Sequence, residues 1–349
     1  MARMRVYLDH NATAPLRPEA RAAMLEAMDI CGNPSSVHGE GRAAKGLIER
    51  ARAQVSAALG ADGADIIFTS GATEAAALAC AGRDLSGAAV EHDAVRAWIT
   101  EDLAVARSGA VAVPNPAMSV LQLANSETGV LQRLPEGLAV SDMTQALGKI
   151  AFAFNWSGAQ MGLISAHKLG GPKGIGALVV RRGTEVAAQI RGGGQEMGRR
   201  SGTENIIGIA GFGAAAEAAA RDLETGVWAR VEKLRNILEK TIADASKETI
   251  FVGYDEKRLP NTSCMITPGW KGETQVMAMD LAGFAISAGS ACSSGKVKAS
   301  NVLLAMGFDG EAAGSAIRVS LGPETTQEDV MRFAEAWATR ASKHRARAA

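Results

Sequence analysis

Asp65-Ile66-Ile67-Phe68-Thr69-Ser70-Gly71-Ala72-Thr73-Glu74 is the stretch that decides the fold. Its first five residues form a short apolar run of strand length, and an alanine-rich helical segment follows the Ser-Gly-Ala-Thr turn. Strand, glycine turn, helix is the building unit of an α/β protein. Upstream, Val37, Ala44, Leu47, Ile48, Ala51, Val55 and Leu59 recur at helical spacing, and Gly60 is placed to stop that helix. Downstream, short strands are expected at 120–124, 138–140, 162–165 and 177–180, so helix and strand alternate as in a sheet covered on both faces. Residues 205–245 read as helical, and strands return at 262–267 and 316–320. Thr325 and Glu328 have capping-box spacing for a last helix through about Ala341, and the basic end from His344 to Arg347 reads as a frayed tail. There is no internal repeat.

A chain of 349 residues exceeds the size at which one hydrophobic core stops growing, so two domains are expected, with a boundary near residue 235. An apolar content of 47% with 21% charged residues is that of a globular, soluble chain. Basic and acidic residues balance at 37 each, which removes the electrostatic case for nucleic acid or an anionic membrane and points to a small-molecule partner. Cys31, Cys80, Cys264 and Cys292 lie far apart with no C-x-x-C pair, so neither a metal site nor a disulfide framework is expected. No run approaches the ~18 apolar residues of a membrane span, and Met1 to Leu8 lacks a signal core. A cytoplasmic location is expected.

Several residues carry chemistry when taken together. Gly71, Ala72 and Thr73 open a helix whose free N–H groups suit a phosphate, although a small residue at that place also serves as an ordinary cap. Lys168 ends the strand at Ser165 beside the glycine-rich Gly170-Gly171-Pro172-Lys173-Gly174, where a buried lysine of lowered pKa forms a Schiff base. Alone, a lysine after a strand is a solvated end. Asp142 at another strand end can keep a pyridinium nitrogen protonated, or simply cap a turn. Gln145 is within reach of a phenolic oxygen on the same ring, and His92 offers a flat ring to stack on it.

These pieces occur in a set order: 68–74, Glu91-His92, Asp142-Met143-Thr144-Gln145, His167-Lys168 with Gly-Pro-Lys-Gly, then 192–196 and 200–205. With Tyr7-Leu8-Asp9-His10-Asn11-Ala12-Thr13-Ala14-Pro15 and Asn33-Pro34-Ser35-Ser36 they resemble the class V aminotransferases, and more narrowly the cysteine desulfurases of the NifS/IscS class, from residue 6 to about 330. The resemblance implies a fold-type-I, aspartate-aminotransferase-like α/β transferase. Its large domain, residues 14–235, has a mostly parallel seven-stranded sheet; residues 1–13 with 236–349 form a smaller α+β domain. It implies pyridoxal 5'-phosphate on Lys168, with Asp142 at the ring nitrogen, Gln145 at the phenolic oxygen and His92 on the ring. The phosphate is expected at Gly71, Ala72, Thr73, Ser165 and His167, joined by Thr203 from the other subunit of a homodimer.

Reaction type turns on Cys292, in Ser290-Ala291-Cys292-Ser293-Ser294. Small residues around a cysteine describe an exposed loop better than a packed element. By the resemblance, Cys292 attacks the sulfur of bound L-cysteine, keeps it as a persulfide and passes it to an acceptor such as an iron–sulfur scaffold, leaving L-alanine. Arg318 matches the arginine that grips the substrate carboxylate, a task its fork suits, and Asn11 and Ser126 are expected beside the substrate. Ser126 stands where the family carries a second asparagine. The chain is also short between His92 and Asn125 and between Gly129 and Asp142, which leaves little room for the family's helix there. A selenocysteine lyase shares these residues, and an idle scaffold of iron–sulfur assembly is the reading from another class. Retention of Lys168, Asp142, His92, Cys292 and Arg318 together speaks for catalysis.

Overall fold

In this computed structural model residues 5–289 and 299–348 are described, with side chains to residue 346. Cys292 lies outside the described residues. The chain starts with β1 (Val6–Tyr7) and α1 (Pro18–Met28), which has proline in its first turn where no N–H is needed. α2 (Gly39–Leu59) buries Ala44, Ile48, Ala51, Val55 and Leu59 along one stripe and stops at Gly60 in the left-handed conformation, as its spacing requires. β2 (Asp65–Thr69) then turns through Ser70 and Gly71 into α3 (Ala72–Cys80).

The next elements are short: β3 (Leu85–Gly87), α4 (Asp93–Arg96) and β4 (Ile99–Glu101). Longer strands follow as β5 (Leu138–Asp142), β6 (Ala159–Ser165) and β7 (Gly176–Val180). They run in the order β2-β7-β6-β5, which single parallel bridges, Val120 to Val140 and Ser86 to Ser119, extend to the pair β3-β4. Every pairing in this series is parallel except those of β7, which runs against β2 and β6. The sheet is covered on both faces. Ile66 and Phe68 pack with Ile48, Val55 and Phe212 on one side, while Ile67 packs with Ala75, Leu78 and Val140 on the other.

α5 (Ile206–Glu224) and α6 (Val227–Ala245) fill the long helical stretch and meet at Gly226, whose φ of +75° makes the turn between them. After β8 (Ile250–Phe251), β9 (Thr262–Ile266) and α7 (Gly272–Asp280) come β10 (Phe284–Ala285) and β11 (Ser287–Ala288). Past residue 298 lie α8 (Asn301–Ala305), α9 (Gly310–Gly314), β12 (Ala316–Ser320) and α10 (Gln327–Ala348). The antiparallel order β11-β12-β9-β8 forms a second sheet, and β1 pairs with β10 beside it. Val6 and Leu8 share one core with Trp228, Val231, Met265, Ile317, Phe333 and Trp337. Val6 and Leu8 are thereby packed against the C-terminal part of the described residues.

Three expectations change. Residues 120–124 make bridges at Val120 and Ala124 instead of a strand. Leu121 N and Leu123 N still donate to Val140 O and Asp142 O on the β5 side, while on the other side Glu91 Oε1 accepts from the Gln122 N–H at 2.8 Å, where a neighbouring strand would supply a carbonyl. The last helix is capped by Thr326, whose Oγ1 accepts from Asp329 N at 3.1 Å while Asp329 Oδ2 accepts from Thr326 N at 3.0 Å. Thr325 is spent on Gly322 N one turn earlier. That helix also runs on through His344 to Ala348, because His344 stacks on Trp270 at 5.4 Å and Arg345 bonds Glu248 and Ser246. No described helix separates Gly129 from β5, in keeping with the short spacing there. Among the described residues no helix is long and apolar enough to cross a membrane.

Candidate active site

A cavity of about 590 Å³ opens where β5 and β6 end and α3 begins. Its lining includes Gly71, Ala72, Thr73, His92, Ser126, Asp142, Gln145, Ser165, His167 and Lys168, so most of the expected residues meet in one place. Ligands of open α/β sheets sit at such carboxyl ends, because loops can vary there while strands hold them. The approach of α3 is set by glycine: a Cβ on Gly176 of β7 would stand 2.7 Å from Gly71 Cα and 2.6 Å from Ile164 O. Only bare backbone allows the helix N-terminus to rest that near the sheet.

Lys168 ends the single turn Ala166–Lys168 after β6, and its Nζ donates to the carbonyls of Asn11 and Ala12 at 2.8 Å each. Asp142 ends β5 and accepts from Thr144 N at 2.9 Å. His92 caps α4, its Nδ1 accepting from Ala94 N at 3.1 Å. His167 Nδ1 lies 3.2 Å from Thr13 Oγ1. Burial, helped by Lys168, Lys173 and Lys149, pushes the His167 pKa down to about 4, so its ring is neutral at pH 7.

Four expected residues stand apart from this wall. Arg318, buried on β12, donates through Nη2 to Asp9 Oδ1 at 2.9 Å and through Nη1 to Ser126 O at 3.0 Å. Its buried Nε has no hydrogen-bond partner among the described residues. Asn11 reaches the same place from behind, donating to Ser126 O at 3.2 Å and Thr262 Oγ1 at 2.8 Å. Its Oδ1 accepts from Asn261 at 3.0 Å, so the side chain is spent within the protein. Thr203 is exposed and lines a neighbouring cavity of about 230 Å³ together with Ser70 and Gly174. Cys292 is beyond the described residues.

The sequence reading passed over three buried charges and one partner. Lys149 is 3% exposed and donates to Gln145 Oε1 at 2.6 Å and Asn11 Oδ1 at 3.3 Å. Burial, then Lys168 and Arg318, hold its pKa well below the usual lysine range. Glu127, beside Ser300 Oγ, is raised to about 7 by burial, which outweighs that hydrogen bond and the attraction of Arg318. Glu91 is raised well above the carboxylate range by burial against the Gln122 N–H bond. Asp9 is the acid that holds Arg318. A lysine four places after Gln145, set between Leu147 and Ile150, was the available signal for Lys149. Cys80 and Cys264 are buried, and Cys31 is exposed. Burial raises the thiol of Cys80 to about 12 and that of Cys264 higher still.

The profile of the Aminotransferase class-V family matches residues 6–98 and 103–333. A cysteine desulfurase of Cereibacter sphaeroides is 40% identical over 369 aligned positions, which cover 95% of this chain and 94% of the relative. A NifS-like protein from Rickettsia africae superposes with a TM-score of 0.87 at 31% identity, over 97% of this chain and 99% of the other. SspA in complex with cysteine superposes with a TM-score of 0.75 at 27% identity, over 92% of this chain and all (100%) of that one.

Proposed function

We propose, from the premise that this chain belongs to the class-V aminotransferase family and is a cysteine desulfurase, that it works on L-cysteine with pyridoxal 5'-phosphate held in the cavity around Lys168. The donor set fits that group. A helix N-terminus with Thr73, Ser165 and the neutral His167 suits a phosphate, Asp142 suits a ring nitrogen, and His92 and Gln145 flank the space between. When bound, the cofactor supplies an electron sink for charge developing at the substrate Cα.

The chain's own residues do the rest. Asp142 would face the ring nitrogen of the bound cofactor and favour its protonated form. Lys168 would hold the cofactor, and its amine would take a proton from the substrate Cα and return it. Arg318 grips the substrate carboxylate, its guanidinium held ready by Asp9 and by the carbonyl of Ser126 in the cavity wall. Cys292 receives the sulfur as a persulfide, and alanine is released. Thr203 completes the phosphate site from the other subunit of a homodimer, which agrees with its exposure. We further read the cofactor-binding domain as running from residue 14 to the junction of α5 and α6, short of the expected residue 235 because Trp228 and Val231 of α6 pack in the C-terminal core, the enzyme as cytoplasmic, and the acceptor as a protein such as an iron–sulfur scaffold.

One observation carries this reading: Lys168, Asp142, His92 and the start of α3, distant in sequence, line a single cavity. Borohydride reduction of the purified, cofactor-loaded protein followed by peptide mass spectrometry tests it. A pyridoxyl group on Lys168 is expected. A label on Lys173 or Lys149, or none, would sink the assignment.

A further inference from the structure

We infer that Lys149 is a positioning residue, which fixes the amide of Gln145 so that its nitrogen, and not its oxygen, serves the cofactor's ring oxygen. The inference rests on the reading of Gln145 given above. Lys149 is fully enclosed, yet the two atoms it meets within hydrogen-bond distance are amide oxygens, Gln145 Oε1 at 2.6 Å and Asn11 Oδ1 at 3.3 Å. Among the described residues it forms no ion pair with a carboxylate. Burying a lysine on neutral acceptors is costly and adds little to stability. A role at the adjacent site accounts for its presence.

The amide of Gln145 is fixed from both ends. Lys149 Nζ meets Gln145 Oε1 at 2.6 Å, and an amine N–H donates to that oxygen in either charge state. The backbone carbonyl of Asn11 only accepts, so the atom facing it at 2.9 Å is Nε2. Of the two N–H groups on Nε2, one is used on Asn11 and the other is left for a ligand in the cavity that Gln145 lines. The same Asn11 carbonyl accepts from Lys168 Nζ at 2.8 Å, so Lys149, Gln145, Asn11 and Lys168 form one hydrogen-bonded chain that ends at the reactive amine. Without Lys149 only the Asn11 carbonyl orients the amide, and each turn of its oxygen toward an anionic ring oxygen removes a donor and adds a repulsion.

The test is a visible-absorbance pH titration of the Lys168-bound cofactor in the holoenzyme, with wild type, Lys149→Met, Gln145→Leu and the double variant. Each single variant is expected to raise the apparent pKa of the chromophore by about one unit, a tenfold change in the proton equilibrium of the size one hydrogen bond supplies. The double variant is expected to shift no further than Gln145→Leu alone, because Lys149 acts through that amide. Additive shifts, or an unmoved Lys149→Met, overturn the positioning role while leaving Gln145 in place. An unmoved Gln145→Leu overturns the reading of Gln145 and the inference with it. If Lys149→Met does not fold, Gln145→Glu serves instead. Its carboxylate pairs with Lys149, so it is expected to unfold at a higher temperature than Gln145→Leu while shifting the titration at least as far. A lower unfolding temperature would contradict the contact.

Discussion

The two walls of the cavity are held by different forces. One is made where β5, β6 and α3 end: Asp142, Ser165, Lys168 and the Gly71 turn are carried by backbone ladders and by the close pass of Gly176. The other side reaches the cavity through Ser126; behind it Asp9, Asn11 and Arg318 are brought together across the chain by side chains that bond one another and the Ser126 carbonyl. On the first wall the backbone ladders, more than the reactive side chains, hold the fold. On the second the polar groups are themselves the fold, and a substitution there lowers stability before it alters the reaction.

The sharpest way to break this contrast is to compare one change on each wall. Lys168→Ala is expected to lower alanine formation by at least about 10²–10⁴-fold, the range for loss of a positioned acid–base group. Its urea midpoint is expected to stay near wild type, and a collapsed midpoint would show that the first wall also depends on its side chains. Asn11→Ala is expected to lower the unfolding free energy by about 3 kcal/mol, since it leaves Asn261, Lys149, Ser126 and Thr262 short of partners in the interior. Urea unfolding at matched protein concentration measures it, and an unchanged free energy would refute the account of the second wall.

A smaller effect comes from pH. Glu127 is raised from 4.5 to about 7, so its stabilising protonated form is full at low pH and is lost as pH rises through 7. His10 and His167 are lowered from 6.5 to about 4, chiefly by burial, so stability is lost as pH falls from 6.5 toward 4. Glu127→Gln removes only the first term. The variant is expected to be more stable than wild type above pH 7 by an amount on the order of 1 kcal/mol, and to lose that advantage by about pH 5. Thermal unfolding across that range tests it; a constant difference would show that Glu127 is not the group titrating.

What was legible in the sequence follows the same division. α2, β2, the turn at Gly71 and β12 could be read because their signals are local: periodicity, a glycine stop, an apolar run bounded by turns. Lys168 and Asp142 could be placed at strand ends in the same way, but their roles came from the resemblance, since alone one reads as a solvated end and the other as a cap. The pairing of Arg318 with Asp9, the burial of Lys149 and the contact of His344 with Trp270 depend on residues far away in the chain, and no spacing announces them. Residues 120–124 misled for a related reason. Their pattern is that of a strand, but Glu91 supplies from its side chain what a neighbouring backbone would have given.

The central claim is a transfer of sulfur from L-cysteine to this chain, and one measurement reaches it most directly. Purified cofactor-loaded enzyme is mixed anaerobically with one equivalent of L-cysteine and no reductant, alanine is quantified, and the intact protein and its Cys292→Ala variant are weighed by mass spectrometry. The account predicts alanine in step with a gain of one sulfur atom located on Cys292, and neither in the variant. Alanine formed by the variant at the wild-type rate, or a sulfur carried by Cys31 instead, would contradict it.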